Sequence, residues 1–203
     1  MPLSAPEPRR HYHRRAISYD GFLRDDGLWE FEARVSDRKP FATFGMHGQA
    51  RAPEQAYHDM WVRLTTDADL VIVAVETAMD ARPFDLCPAI QPNFQRLIGV
   101  KLSKGWRRAV LERLGGVNGC NHMMEMLLPL PSMVIQATGN GRRQHEQTRE
   151  DVLAHQKKNM KPPVNFCHAW QSDSPVVKEM APDYYTGTGA VPVTEKRPLP
   201  FES

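Results

Sequence analysis

Two stretches of strict apolar–polar alternation, and the point where they give way to helical spacing, constrain this chain most. Trp29, Phe31, Ala33 and Val35 alternate with Glu30, Glu32 and Arg34. That period puts one set on each face of a half-buried strand. Asp25-Asp26-Gly27 just before it supplies turn chemistry, so residues 17–23 are expected to be its hairpin partner. In the second stretch Met60, Val62 and Leu64 alternate with Trp61, Arg63 and Thr65. Thr66-Asp67-Ala68-Asp69 turns the chain there, and residues 70–76 return as a β-branched strand. After Pro88 the period becomes helical. Phe94, Leu97 and Ile98 fall at i, i+3 and i+4, and Trp106, Ala109, Val110 and Leu114 form a second face that Gly115-Gly116 stops. Cys120, Met123, Met124 and Leu127 mark a third helix, disturbed near Pro129 and Pro131 where backbone donors are lost. Strands first and helices afterwards predict an α+β fold, an antiparallel sheet of hairpins covered on one face by helices.

The 203 residues leave room for one well-buried domain with tails. The expected organisation is an extended basic arm over 1–15, a single α+β domain over 16–170 and a C-terminal tail over 171–203, loosely held in its last twenty residues. A polar helix is expected over 144–158, and a short strand or docking segment over 164–170. Lys and Arg total 26 against 24 Asp and Glu, so no electrostatic bias toward nucleic acid or membrane surfaces is expected. No apolar run approaches the roughly 20 residues of a membrane span. The opening MPLSAPEPRRHYHRR lacks the apolar centre of a signal peptide. Three cysteines, an odd number, speak against a disulfide scaffold and for a reducing cytoplasm. A homo-oligomer is compatible with all of this.

Chemistry concentrates at a few places. Gly119-Cys120-Asn121-His122 stands at an expected helix start, where unpaired N–H groups favour thiolate, and thiolate and imidazole are both ligands for zinc or iron. The bland alternative is a small buried hydrophobe beside a satisfied histidine. Cys87 sits at a strand-to-helix junction, where it is either core or a partner for Cys120. His58 shares strand parity with Met60 and Val62, so on the covered face it needs a metal, a carboxylate or a substrate as partner. Asp59 and Glu125 are candidates to orient the imidazoles, Glu125 lying one helical turn beyond His122. Arg63, of opposite parity, is not expected to reach the site. His168, beside Cys167, is a further base or ligand candidate. His11, His13, His47, His145 and His155 lie in polar surroundings and are expected to be exposed. Arg14 and Arg15, in the basic cluster with Arg9 and Arg10, are either solvated surface or a grip on the carboxylate or phosphate of a substrate.

In order along the chain, Arg24-Asp25-Asp26-Gly27-Leu28-Trp29, His58-Asp59-Met60-Trp61, Gly115-Gly116-Val117-Asn118-Gly119-Cys120-Asn121-His122 and Cys167-His168-Ala169 resemble a bacterial family catalogued as a domain of unknown function, DUF2889. The resemblance spans roughly residues 14–170. It implies a setting among catabolic genes for aromatic or other recalcitrant compounds, and hence a small-molecule enzyme. A more distant likeness is to NifU-like iron–sulfur scaffolds, a small antiparallel sheet covered by helices. That likeness implies ligand positions near His58, Cys87, Cys120 and His122. The chain departs from the scaffold pattern: the cysteine before the first strand is missing, and Cys-Asn-His replaces His-Cys.

The resulting expectation is an enzyme of lyase or isomerase type, without a nucleotide cofactor, since no nucleotide-binding glycine motif occurs. Its substrate is a small organic molecule. Zinc or iron on His58, Cys87, Cys120 and His122 would act as a Lewis acid. In a metal-free version His58, His122 and His168 would move protons. The non-enzymatic alternative is a metal or iron–sulfur delivery protein.

Overall fold

The computed structural model describes residues 3–46, 48–138, 148 and 162–187. The chain divides into two compact units, residues 1–144 and 145–203.

The first unit is built on a four-stranded antiparallel sheet in the order β1 (Arg14–Leu23), β2 (Trp29–Arg38), β5 (His58–Thr66) and β6 (Ile72–Ala81). A two-stranded ribbon of β3 (Thr43–Phe44) and β4 (Ala50–Arg51) lies between β2 and β5 in sequence. Both expected hairpins form. In the first, the Gly27 N–H donates to Arg24 O and the Arg24 N–H to Leu28 O. Gly27 takes φ +83°, a left-handed conformation that glycine adopts without steric cost. In the second, Asp67 Oδ1 accepts the N–H groups of Asp69 and Val71, a side chain standing in for backbone in the turn.

β2 shows the alternation most cleanly: Trp29, Phe31, Ala33, Val35 and Asp37 are buried, and the residues between them are not. The apolar members of this row, with Met60, Val62, Leu64, Ile72, Val75 and Met79, form the sheet's half of the core. Helices supply the other half. Pro88 and Pro92 remove donors, and residues Cys87–Leu97 accordingly wind as a 3-10 helix, burying Phe94 and Leu97. Gln91 and Gln95 of that segment donate to Thr77 O and Val75 O of β6. α1 (Trp106–Leu114) buries Trp106, Val110 and Leu114. α2 (Asn121–Leu127) buries Met123, Met124, Met126 and Leu127, and ends before Pro129. α3 (Leu130–Thr138) packs on β1, where Gly21 permits the approach, since a Cβ there would stand 3.2 Å from that of Ala137.

The α+β class and the helix-covered sheet face are as expected. β1 begins at Arg14, so the last two residues of the expected arm are strand. The domain expected over 16–170 is divided, because the apolar cluster of the first unit takes its last member from α3. Within the second unit, Pro175–Met180, in the stretch expected as a C-terminal tail, is a short helix capped by Ser174, with Val177 fully buried. His168–Trp170 is a 3-10 turn rather than a strand. The expected polar helix over 144–158 falls outside the described residues, Thr148 apart.

Candidate functional site

At one end of the sheet the apolar face turns polar. Arg15 stands directly across from Asp37, and Asp37 across from His58, so the three form a row over β1, β2 and β5. Strand parity puts them on the helix-covered face with Val35 and Met60. Asp37 is 1% exposed and accepts four hydrogen bonds. Arg15 donates Nε to Oδ1 at 2.9 Å and a terminal nitrogen to Oδ2 at 2.7 Å. His13 Nε2 meets Oδ1 at 2.8 Å, and His58 Nδ1 meets Oδ2 at 2.9 Å. Burial by itself would raise the Asp37 pKa. The hydrogen bonds from Arg15, His13 and His58 outweigh it and hold the carboxyl well below the usual range. An ionised carboxylate only accepts, so His58 Nδ1 carries the proton and Nε2 keeps its lone pair in the neutral ring.

α2 closes over this row. His122, in its first turn, stacks on His58 with ring centroids 3.6 Å apart and planes at 28°. Glu125, one turn on, pairs with the Arg15 guanidinium. The far end of α2 is held by Trp106, whose indole N–H donates to Leu127 O at 2.7 Å. Among the described residues His58 Nε2 is buried without a hydrogen-bond partner. Such a group costs about 1–3 kcal/mol. The donor atoms of Asp37, His58 and His122 all lie within 4.8 Å of one another.

Both imidazoles have depressed pKa values. For His58 the cause is burial first, then the charge His122 would carry; for His122 it is burial, then the Arg15 guanidinium. Each ring therefore binds fewer protons folded than unfolded once the pH drops below about 6.5. Their contribution to stability is intact above that value and is lost as pH falls through the folded pKa values. Depressed Asp37 adds a further loss below about pH 4. Urea unfolding across this range should show stability declining from about pH 6.5 downward, with a shallower slope in His122→Gln. A level profile between about pH 7 and 5 would contradict the burial of the pair.

The expected site residues are thus partly gathered. His58 and His122 meet. Asp59 does not orient His58: it faces the opposite side of the sheet, bonded by Arg34 and Arg38. Neighbours along a strand point to opposite faces, and Asp37, across from His58, takes the orienting place. Glu125 engages Arg15. Arg15 itself holds Asp37 and Glu125, and Arg14 lies on the other face. Among the described residues neither cysteine joins the three-donor group: Cys87 and Cys120 pack against the apolar core. Cys120 precedes α2 in extended conformation, two positions before the stacked imidazole of His122. Arg63 bonds Glu32 and Glu76 on the outer face. His168 and exposed Cys167 belong to the second unit, where the His168 ring meets Gln171. His11 and His13 are exposed as expected, and His13 also reaches Asp37; His47, His145 and His155 lie outside the described residues.

Asp37 and His13 were the residues missed. Asp37 had a signal, because it continues the buried parity of Trp29 to Val35 with a carboxylate where the pattern calls for an apolar side chain. His13 had none, since its role depends on a partner 24 positions away.

No curated protein and no solved structure matches this chain, and the likeness to NifU-like scaffolds is without support. The model of the family described as "Protein of unknown function (DUF2889)" matches residues 13–136, from the histidine that touches Asp37 into α3 and therefore across every residue of the polar cluster. The chain belongs to the DUF2889 family.

Proposed function

We propose that this protein is a metal-free acid–base enzyme of isomerase or lyase type, acting on a small organic molecule. The observation that carries this is the buried, unpartnered Nε2 of His58, on a ring whose opposite nitrogen is tied to Asp37. A carboxylate on Nδ1 selects the tautomer with a basic Nε2 and stabilises the imidazolium once a proton is taken. His58 would remove a proton from carbon next to a carbonyl, leaving an enolate, and return it at another carbon, so that atoms and charge balance without a co-reactant. His122, also neutral near pH 7, lies where it would accept or relay the same proton.

Substrate reaches Nε2 only if the first turn of α2 yields. That turn has no side-chain cap and follows Gly115, Gly116 and Gly119, which lowers the cost of opening it. A cytoplasmic setting and a role in the catabolism of aromatic compounds belong to the proposal. Three free thiols support the first. Among the described residues no helix is long and apolar enough to cross a membrane.

The test is solvent exchange. Carbonyl compounds with acidic α-hydrogens are incubated with the protein in D2O, and deuterium incorporation is followed by NMR. Exchange that disappears in a folded His58→Gln variant supports the reading, with a loss of about a hundredfold or more. Absence of exchange across a broad panel argues against it.

A second reading, a zinc or iron centre, is favoured by the convergence of Asp37, His58 and His122, two imidazoles and a carboxylate being a usual catalytic set. The fit is poor. Both Asp37 oxygens are taken by Arg15, His13 and His58, so a cation would have to displace a resident guanidinium. Elemental analysis of untagged protein separates the two: stoichiometric metal, lost in His122→Ala, would replace the metal-free enzyme.

A further inference from the structure

The outer face of the sheet carries a second constellation that the histidine cluster does not use. A recess of about 270 Å³ is lined by Arg14, Ala16, Ser18, Arg34, Ser36 and Arg38. Three cross-strand pairs of β1 and β2 make it: Arg14 opposite Arg38, Ala16 opposite Ser36 and Ser18 opposite Arg34. The small side chains leave the space, and the arginines surround it.

Like charges directly opposite on paired strands repel, and of Arg14 and Arg38 only Arg38 has a carboxylate, Asp59, within reach. Two of the guanidiniums are already oriented. Arg34 makes a two-bond pair with Asp59 at 2.7 Å each and lies 4.5 Å over the Trp61 ring. Arg38 reaches Asp59, Ser36 Oγ and the Glu54 carbonyl. Arg14 makes no side-chain hydrogen bond or ion pair among the described residues. Three guanidiniums thus outnumber the two carboxylates that act on them, Asp59 and Asp80. Ser36 Oγ accepts from Arg38, which leaves its hydrogen to donate into the recess.

We infer that this recess is an oxyanion site, taking the phosphate or carboxylate group of a small molecule between Arg14, Arg38 and the Ser18 and Ser36 hydroxyls. It lies back to back with the histidine cluster through the same strands, because Arg14 and Arg38 alternate with Arg15 and Asp37. Its ligand therefore occupies the opposite side of the sheet from His58, and the site stands whether or not His58 is a base. Arginine suits the role, since its planar fork matches both phosphate and carboxylate oxygens.

Isothermal titration of the full chain with inorganic phosphate, and separately with benzoate, at one ionic strength set with chloride, tests this. Saturable binding of at least one is expected. Phosphate alone would identify a phosphate ester as the ligand class, benzoate alone a carboxylate, and both a site that reads oxyanion charge. Arg14→Ala should weaken binding about tenfold, the value of one charge-assisted hydrogen bond. Ser18→Asp, at an exposed position, places a carboxylate among the guanidiniums and should abolish binding, with circular dichroism unchanged. No saturable heat with either anion up to about 10 mM, a very weak Kd, overturns the inference. So does an affinity that neither substitution changes.

Discussion

Asp37→Ala should destabilise the protein at the lower end of about 3–5 kcal/mol, the range for removing one partner of a buried ion pair. The carboxylate is 1% exposed and accepts from three side chains, so its loss leaves Arg15 and His58 facing a cavity. The lower end applies because the Arg15 side chain is 33% exposed and keeps Glu125, which lets water recover part of the guanidinium's solvation. Urea denaturation at neutral pH measures the cost. Nitrogen-15 NMR of the imidazoles measures the second consequence: His58 should lose its single tautomer and become a mixture. Asp37→Asn keeps the shape but presents an amide whose N–H2 group meets donors, so it should recover little. A cost below about 1 kcal/mol, as for a surface pair, would contradict the burial of this cluster.

Trp106→Ala should cost about 3–5 kcal/mol, as deletion of a large buried side chain does. Trp106 is 2% exposed and is the tie between α1 and the end of α2. Phenylalanine at this position separates the two contributions. It keeps most of the apolar volume and removes only the donor to Leu127 O, so Trp106→Phe should cost about 1–3 kcal/mol. Because α2 carries His122 and Glu125, the tie also bears on the site. Loosening it should weaken the stacking of His122 on His58, visible as a loss of the mutual ring-current shift of the two imidazoles. Retained shifts in Trp106→Phe would place the control of His122 elsewhere, in Met123 and Met126 against the sheet.

Much of the fold was legible because it is encoded locally. Alternation in 29–35 and 60–65 assigns each residue to a face whatever the strand's neighbour. Asp-Asp-Gly and Thr-Asp-Ala-Asp set turns through glycine's conformational freedom and Asp67's own side chain. The helical spacings of 106–114 and 120–127 needed only a sheet to pack on. The 3-10 winding of Cys87–Leu97 was less legible, since two prolines change the helix type without altering which residues are buried.

The site was half legible. His58 and His122 were readable as polar groups at positions with buried parity or at a helix start. That they meet each other, and not Cys87 and Cys120, depends on how far along the sheet α2 settles. Core packing of Met123, Met126 and Leu127 decides that, and no local spacing encodes it.

Which carboxylate orients His58 was decided in the same way. Asp59 is its neighbour in sequence, yet a strand's pleat sends adjacent side chains to opposite faces, and Asp59 meets Arg34 and Arg38 there. Asp37 is 21 residues away and becomes the partner because the register of β2 against β5 pairs Asp37 with His58. The order of apolar and polar residues and the turn chemistry determine by themselves that strands, helices and a buried face exist. Register and helix placement are long-range, so only the packed chain could decide that Arg15, Asp37, His58 and His122 share one place.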